Sequence, residues 1–143
     1  MKKISLLTSF IILANVLLAQ NIDEGKKFLY YERYTSAQDI FNKLLAANPN
    51  NVEAAYWLGQ TYLQNQDNPD SLAAKDIYQK TLQANPNAPL MIAGIGEIEL
   101  MEGKKEDARN HFESAISLSK GKDPAVLQAV GRANINARNG DPV

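Results

Sequence analysis

The sequence predicts an all-α fold, a solenoid of antiparallel helix hairpins, and three spacings predict it. Gly25, Gly59, Gly96 and Gly131 recur at intervals of 34, 37 and 35 residues. Each of the first three glycines is followed by an alanine, Ala37, Ala74 or Ala108, and four residues beyond each alanine stands an aromatic, Phe41, Tyr78 or Phe112. Pro49 and Pro86 fall twelve residues after the first two alanines, each inside an Asn-Pro-Asn. A period of this length marks a stack of supersecondary units, none of which buries its apolar face alone.

The elements follow in order from these spacings. Residues four apart share a helix face, so Leu58 and Tyr62 form one stripe, while Ala74 and Tyr78 form another on the following helix. Gly59 and Ala74 let the two backbones approach, and the aromatic side chains fill the space around that contact. Asn-Pro-Asn ends the second helix, because proline disfavours a helical residue before it and cannot donate to the ladder. Asn51, Asn87 and Asp123 are good N-caps for the helices that follow, the last reinforced by Pro124. The middle interval from Gly59 to Ala74 is longer than its counterparts, and the turn formers from Gln64 to Asp70 absorb the difference. Helices are therefore expected over 22–33, 36–47, 52–65, 71–84, 88–102, 105–118 and 124–138. Trp57, directly before Leu58 and Gly59, is expected to pack rather than to bind.

With the run Tyr56-Trp57-Leu58-Gly59-Gln60-Thr61-Tyr62 followed by Ala74 and Tyr78, the chain after its first twenty residues resembles the tetratricopeptide-repeat family. Asn21 to Asn51 and Pro89 to Lys120 repeat the unit. The resemblance implies a right-handed superhelix of about three and a half repeats that binds other proteins and carries no catalytic centre. Three positions depart from the pattern: Lys120 where the third unit should have proline, Glu99 in place of an aromatic, and Thr81 in place of a small apolar residue.

The first twenty residues are a different material. Met1-Lys2-Lys3 precedes an apolar run of about 15 residues from Ile4 to Leu18, shorter than the ~20 a permanent spanning helix requires. This is the layout of a signal peptide over 1–19, cut between Ala19 and Gln20, which leaves a repeat domain over 20–143 with no stable membrane span and a periplasmic or secreted location in a bacterial envelope. No cysteine occurs, so thiol lipidation, disulfides and cysteine-bound metals are excluded. The remaining composition is that of one globular domain, 45% hydrophobic and 22% charged. Its 15 basic and 16 acidic residues nearly cancel, and with no clustered basic face there is no reason to expect a nucleic-acid partner.

Catalytic and metal chemistry finds little support. The only histidine, His111, falls on the outward side of its helix relative to Phe112 and Ala115, without an evident carboxylate partner, and is expected to be solvated. Glu97, Glu99, Glu102, Glu106 and Asp107 interleave with Lys104, Lys105 and Arg109, which suggests a self-paired helix surface rather than a metal site. Gly94-Ile95-Gly96 has no preceding strand and no lysine at the spacing of a phosphate loop. Asp67, Asp70 and Asp76 lack the central glycine and closing glutamate of a calcium loop. No cofactor and no metal are expected.

A binding surface remains. In a helical solenoid the first helix of each hairpin lines the inside of the curve. By spacing, Lys26, Tyr30, Tyr56, Gln60, Leu63, Glu97, Met101 and Arg132 point there, with Leu29, Gln64, Leu100, Gln128 and Ile135 nearby. A mixed aromatic, aliphatic and polar groove suits an extended peptide or an amphipathic helix of a partner protein. Only Lys26 corresponds to the lysines and asparagines with which family members grip a terminal carboxylate, which argues against that ligand. The expected function is an exported protein–protein interaction scaffold; the alternative is an accessory repeat domain of a larger envelope enzyme, uptake or secretion complex. The ending Gly140-Asp141-Pro142-Val143 stands where a turn to a further helix should begin, so the domain is expected to be truncated there. Its last helix is expected to fray from about Asp123 or to self-associate.

Overall fold

The computed structural model describes residues 22–137, which form seven helices and no strand. They are α1 (22–30), α2 (Tyr34–Ala47), α3 (Val52–Gln64), α4 (Ser71–Ala84), α5 (Pro89–Met101), α6 (Lys105–Leu118) and α7 (Pro124–Ala137). Every expected helix is present. The leader expected over 1–19, its cut after Ala19 and the terminal segment 140–143 lie outside the described residues.

Where the ends moved, local backbone explains it. α1 stops short of the expected residue 33 because Glu32 takes a left-handed conformation, φ 58°, that a sequence without glycine there does not advertise. The cap expected at Asn87 passes to Ala88, because Pro89 occupies the first helical turn with its φ already set. Asn51 and Asp70 do cap, accepting from Ala54 N at 3.0 Å and Ala73 N at 2.8 Å. Asp123 likewise accepts from Ala125 N at 2.9 Å. Lys120, which replaces the third unit's proline, is itself left-handed at φ 55° and is followed by Gly121 at φ 64°. The unit thus ends its second helix by a backbone reversal instead of by proline.

The helices pair as hairpins, α3 with α4 and α5 with α6, and each new hairpin packs its first helix on the second helix of the one before. First helices also stack on one another, α3 on α5 and α5 on α7, which makes an all-α repeat solenoid. At the heart of each hairpin the aromatic of the second helix lies against the glycine of the first. A Cβ added at Gly25 would come within 2.6 Å of the Phe41 ring, at Gly59 within 2.3 Å of Tyr78, and at Gly96 within 2.7 Å of Phe112. Gly94 meets the other side of Tyr78 at 2.6 Å, so that one ring is clamped between glycines of two successive hairpins. Gly131 has no neighbour within 4 Å of that position among the described residues. Thr81, the polar departure in the fourth helix, is buried and turns its hydroxyl back to Ile77 O at 2.8 Å, so its burial leaves no unmet donor.

Candidate functional site

The stacking of first helices leaves a cleft of about 610 Å³ between them. α1 contributes Leu29 and Tyr30, α3 Leu63 and Gln64, α5 Glu97 and Met101, and α7 Arg132, Ala133 and Asn136. Glu32, Tyr34 and Gln66 line it too, and Gln66 donates to the Glu32 carboxylate at 3.1 Å. Tyr30, 81% exposed, and Met101, 55% exposed, are large apolar groups left in water at its edges. Thus Tyr30, Leu63, Glu97, Met101 and Arg132 of the expected groove residues meet in one concavity.

The other three lie elsewhere. Lys26 and Tyr56 line a smaller hollow of about 50 Å³ shared with Trp57 and Arg132, where Lys26 pairs with Glu53 at 2.9 Å and its Nζ stands 5.2 Å from the Trp57 ring. Tyr56 was expected on the open face, yet it is only 2% exposed; its ring stacks on Tyr78 at 6.0 Å and its hydroxyl accepts from Arg132 Nη2. Gln60 is fully buried. The cause is the tight stacking of α5 on α3, together with the reach of Arg132 from α7 back to α3. Trp57, by contrast, is partly buried, with Arg132 Cζ 5.0 Å from its ring.

Under the cleft runs a buried polar chain. Gln64 Nε2 donates to Gln60 Oε1 at 2.8 Å, and Gln60 Nε2 donates both to Glu97 Oε2 at 2.5 Å and to the Tyr78 hydroxyl at 3.2 Å. The Tyr78 hydroxyl in turn donates to Tyr56 O at 3.2 Å. Glu97 is 4% exposed, which corrects its expected place on a solvated acidic surface. Burial raises the pKa of its carboxyl group, offset in part by the Gln60 hydrogen bond, the Arg132 charge and a hydrogen bond from Asn136. The Tyr78 and Tyr56 hydroxyls are likewise pushed up, first by burial. Arg132 Nε is buried without a hydrogen-bond partner among the described residues, so its guanidinium is only partly satisfied there.

The rest of the expected acidic cluster is dispersed over other surfaces. Glu102 pairs with Lys104 at 2.6 Å and Lys75 at 3.4 Å, both exposed or nearly so. Glu99 meets His111 Nδ1 at 2.6 Å, so the histidine expected to lack a carboxylate partner has one, supplied by the preceding helix. Neither residue lines the cleft. Among the described residues no group of three or more histidine and acidic side chains could hold a metal ion, and no helix is long and apolar enough to cross a membrane. Chemically, the cleft offers apolar edges, amide donors and acceptors, two carboxylates and one engaged guanidinium.

Asn136 and Glu32 were not anticipated as lining residues. Asn136 stands one helical turn beyond Arg132 and was therefore available from spacing. Glu32 reaches the cleft only through its left-handed turn, which no residue type there announces.

Comparison with known proteins agrees with this geometry. Residues 22–89 match the tetratricopeptide repeat family. The fold is similar to the solved structure of the first TPR domain of the human RPAP3 protein, with a TM-score of 0.61 at 16% identity over 87% of this chain and 97% of that one. No curated protein matches the chain.

Proposed function

We propose that the whole repeat domain is of the tetratricopeptide kind and serves as a non-catalytic, exported scaffold that binds a peptide or helix of a partner protein in the cleft between α1, α3, α5 and α7. One observation carries this reading: a cleft of about 610 Å³ with Tyr30 and Met101 exposed at its edges, on a fold similar to a TPR domain. Large apolar side chains kept in water around a concavity mark an interaction site more often than a fold requirement. The Lys-Lys start and short apolar run support export to a bacterial periplasm or beyond, with a mature N-terminus at Gln20.

A photo-crosslinking residue placed at Met101 in cells should capture a defined protein, whereas the same residue at Leu72, even more exposed on α4 but away from the cleft, should not. Equal capture from both positions would refute the cleft. Edman sequencing of the protein recovered from the envelope tests export, and an intact Met1 would count against it.

A further inference from the structure

We infer that the cleft selects a cationic segment: an extended peptide that places a lysine or arginine between Glu32 and Glu97 and an apolar side chain against Tyr30 and Met101. This rests on the cleft being the binding site and adds the chemistry of its ligand.

The argument is one of charge left over after the protein has satisfied itself. Three ionic groups line the cleft, Glu32, Glu97 and Arg132. Arg132 is turned inward, though only partly satisfied: its Nη2 donates to the Tyr56 hydroxyl, its Cζ lies 5.6 Å from the Tyr56 ring and 5.0 Å from Trp57, and its Nε has no partner among the described residues. Among the described residues the hydrogen-bond donors to the two carboxylates are neutral, Gln66 for Glu32, and Gln60 and Asn136 for Glu97, while the Arg132 charge acts on Glu97 without a hydrogen bond to it. Glu32 is exposed and Glu97 nearly buried, and both line the one cleft. A buried carboxyl group gains from an incoming ammonium or guanidinium because the cation favours its charged form and their attraction is strong in low-dielectric surroundings. Lysine and arginine also carry an apolar stem that suits the wall formed by Leu29, Leu63 and Ala133. An acidic peptide would set its carboxylate against two glutamates and find Arg132 as the one lysine or arginine among the described lining residues.

The test is selection from a displayed library of random peptides on the full chain at about pH 8, followed by affinity measurement on the enriched sequences. Enriched peptides should share a basic residue; replacing it by norleucine should weaken binding by about tenfold or more. Glu97→Gln, which keeps the shape and the Gln60 contact, should erase most of that difference. Glu32→Gln, at an exposed position, should reduce it several-fold. Binders that depend on Tyr30 and Met101 yet lack a basic residue, or basic binders indifferent to both glutamine variants, would overturn the inference while leaving the cleft as the site. Binders unaffected by Tyr30→Ala and Met101→Ala, or no binders at all, would overturn the cleft and the inference together.

Discussion

Tyr56 and Trp57 are neighbours in sequence with opposite roles. Tyr56 puts its ring into the core against Tyr78, while Trp57 keeps part of its surface in a hollow between the cations of Lys26 and Arg132. Spacing along α3 placed Tyr56 on the inner face, but the residue is buried there. Burial of this kind depends on how closely the next first helix stacks, which no residue in α3 encodes. Glu97 shows the same effect with a charge attached. Its folded pKa is raised, so the native state holds a proton more firmly than the unfolded chain does, and stability must fall as pH rises from the ordinary carboxylate value through the raised one. Glu97→Gln removes that titration. Urea unfolding of both proteins across this range should therefore show wild type losing stability relative to the variant as pH increases; parallel curves would mean that the carboxyl group is adequately solvated after all.

At the scale of the hairpin, the glycine–aromatic pair is the working unit; three of the four repeat glycines have an aromatic partner and Gly131 has none among the described residues. Gly59 touches Tyr78 so closely that a methyl group requires the clamped ring to move, and that ring is held by hydrogen bonds at its hydroxyl. Gly59→Ala should therefore cost about 1–3 kcal/mol by overpacking. Gly131 has the same place in the repeat but open space where the aromatic would be. There the only effect of alanine is helix propensity, and Gly131→Ala should stabilise by up to about 1 kcal/mol. Thermal melts of the two variants should move in opposite directions; a destabilised Gly131→Ala would show that this face is covered in solution. The period in the sequence located both glycines equally well, and could not distinguish them, because the distinction lies in the partner helix.

Across the whole molecule, helices and their order were legible because each unit states its own pattern: glycine, alanine, aromatic and terminator. The cleft was legible in part, since first-helix spacing names Tyr30, Leu63, Glu97, Met101 and Arg132 without revealing which of them end buried. What spacing cannot supply is contact between units that are not adjacent. Arg132 on α7 reaches Tyr56 on α3, 76 positions away, and joins the fourth unit to the second in a solenoid whose units otherwise meet mainly their neighbours. The consequence is a graded stability. α7 packs chiefly on α5 and little on α6, Gly131 meets nothing, and Leu127 and Ile135 are exposed. α3, by comparison, is held by α2, α4 and α5. Regions with few buried contacts open at lower free energy than the global value, so amides over 124–137 should exchange before those over 52–84. Arg132, beside the buried Val126, Ala129 and Ala133, is then a polar tie that slows this opening. Its hydrogen bond and its position over two rings are together worth about 1–2 kcal/mol. Arg132→Met keeps the apolar stem and removes the charge, and should speed exchange in α7 by about tenfold while leaving α1 and α2 unchanged. Equal protection of α7 and α3 in a wild-type monomer would show the solenoid to open as one unit, with no weak seventh helix for Arg132 to hold.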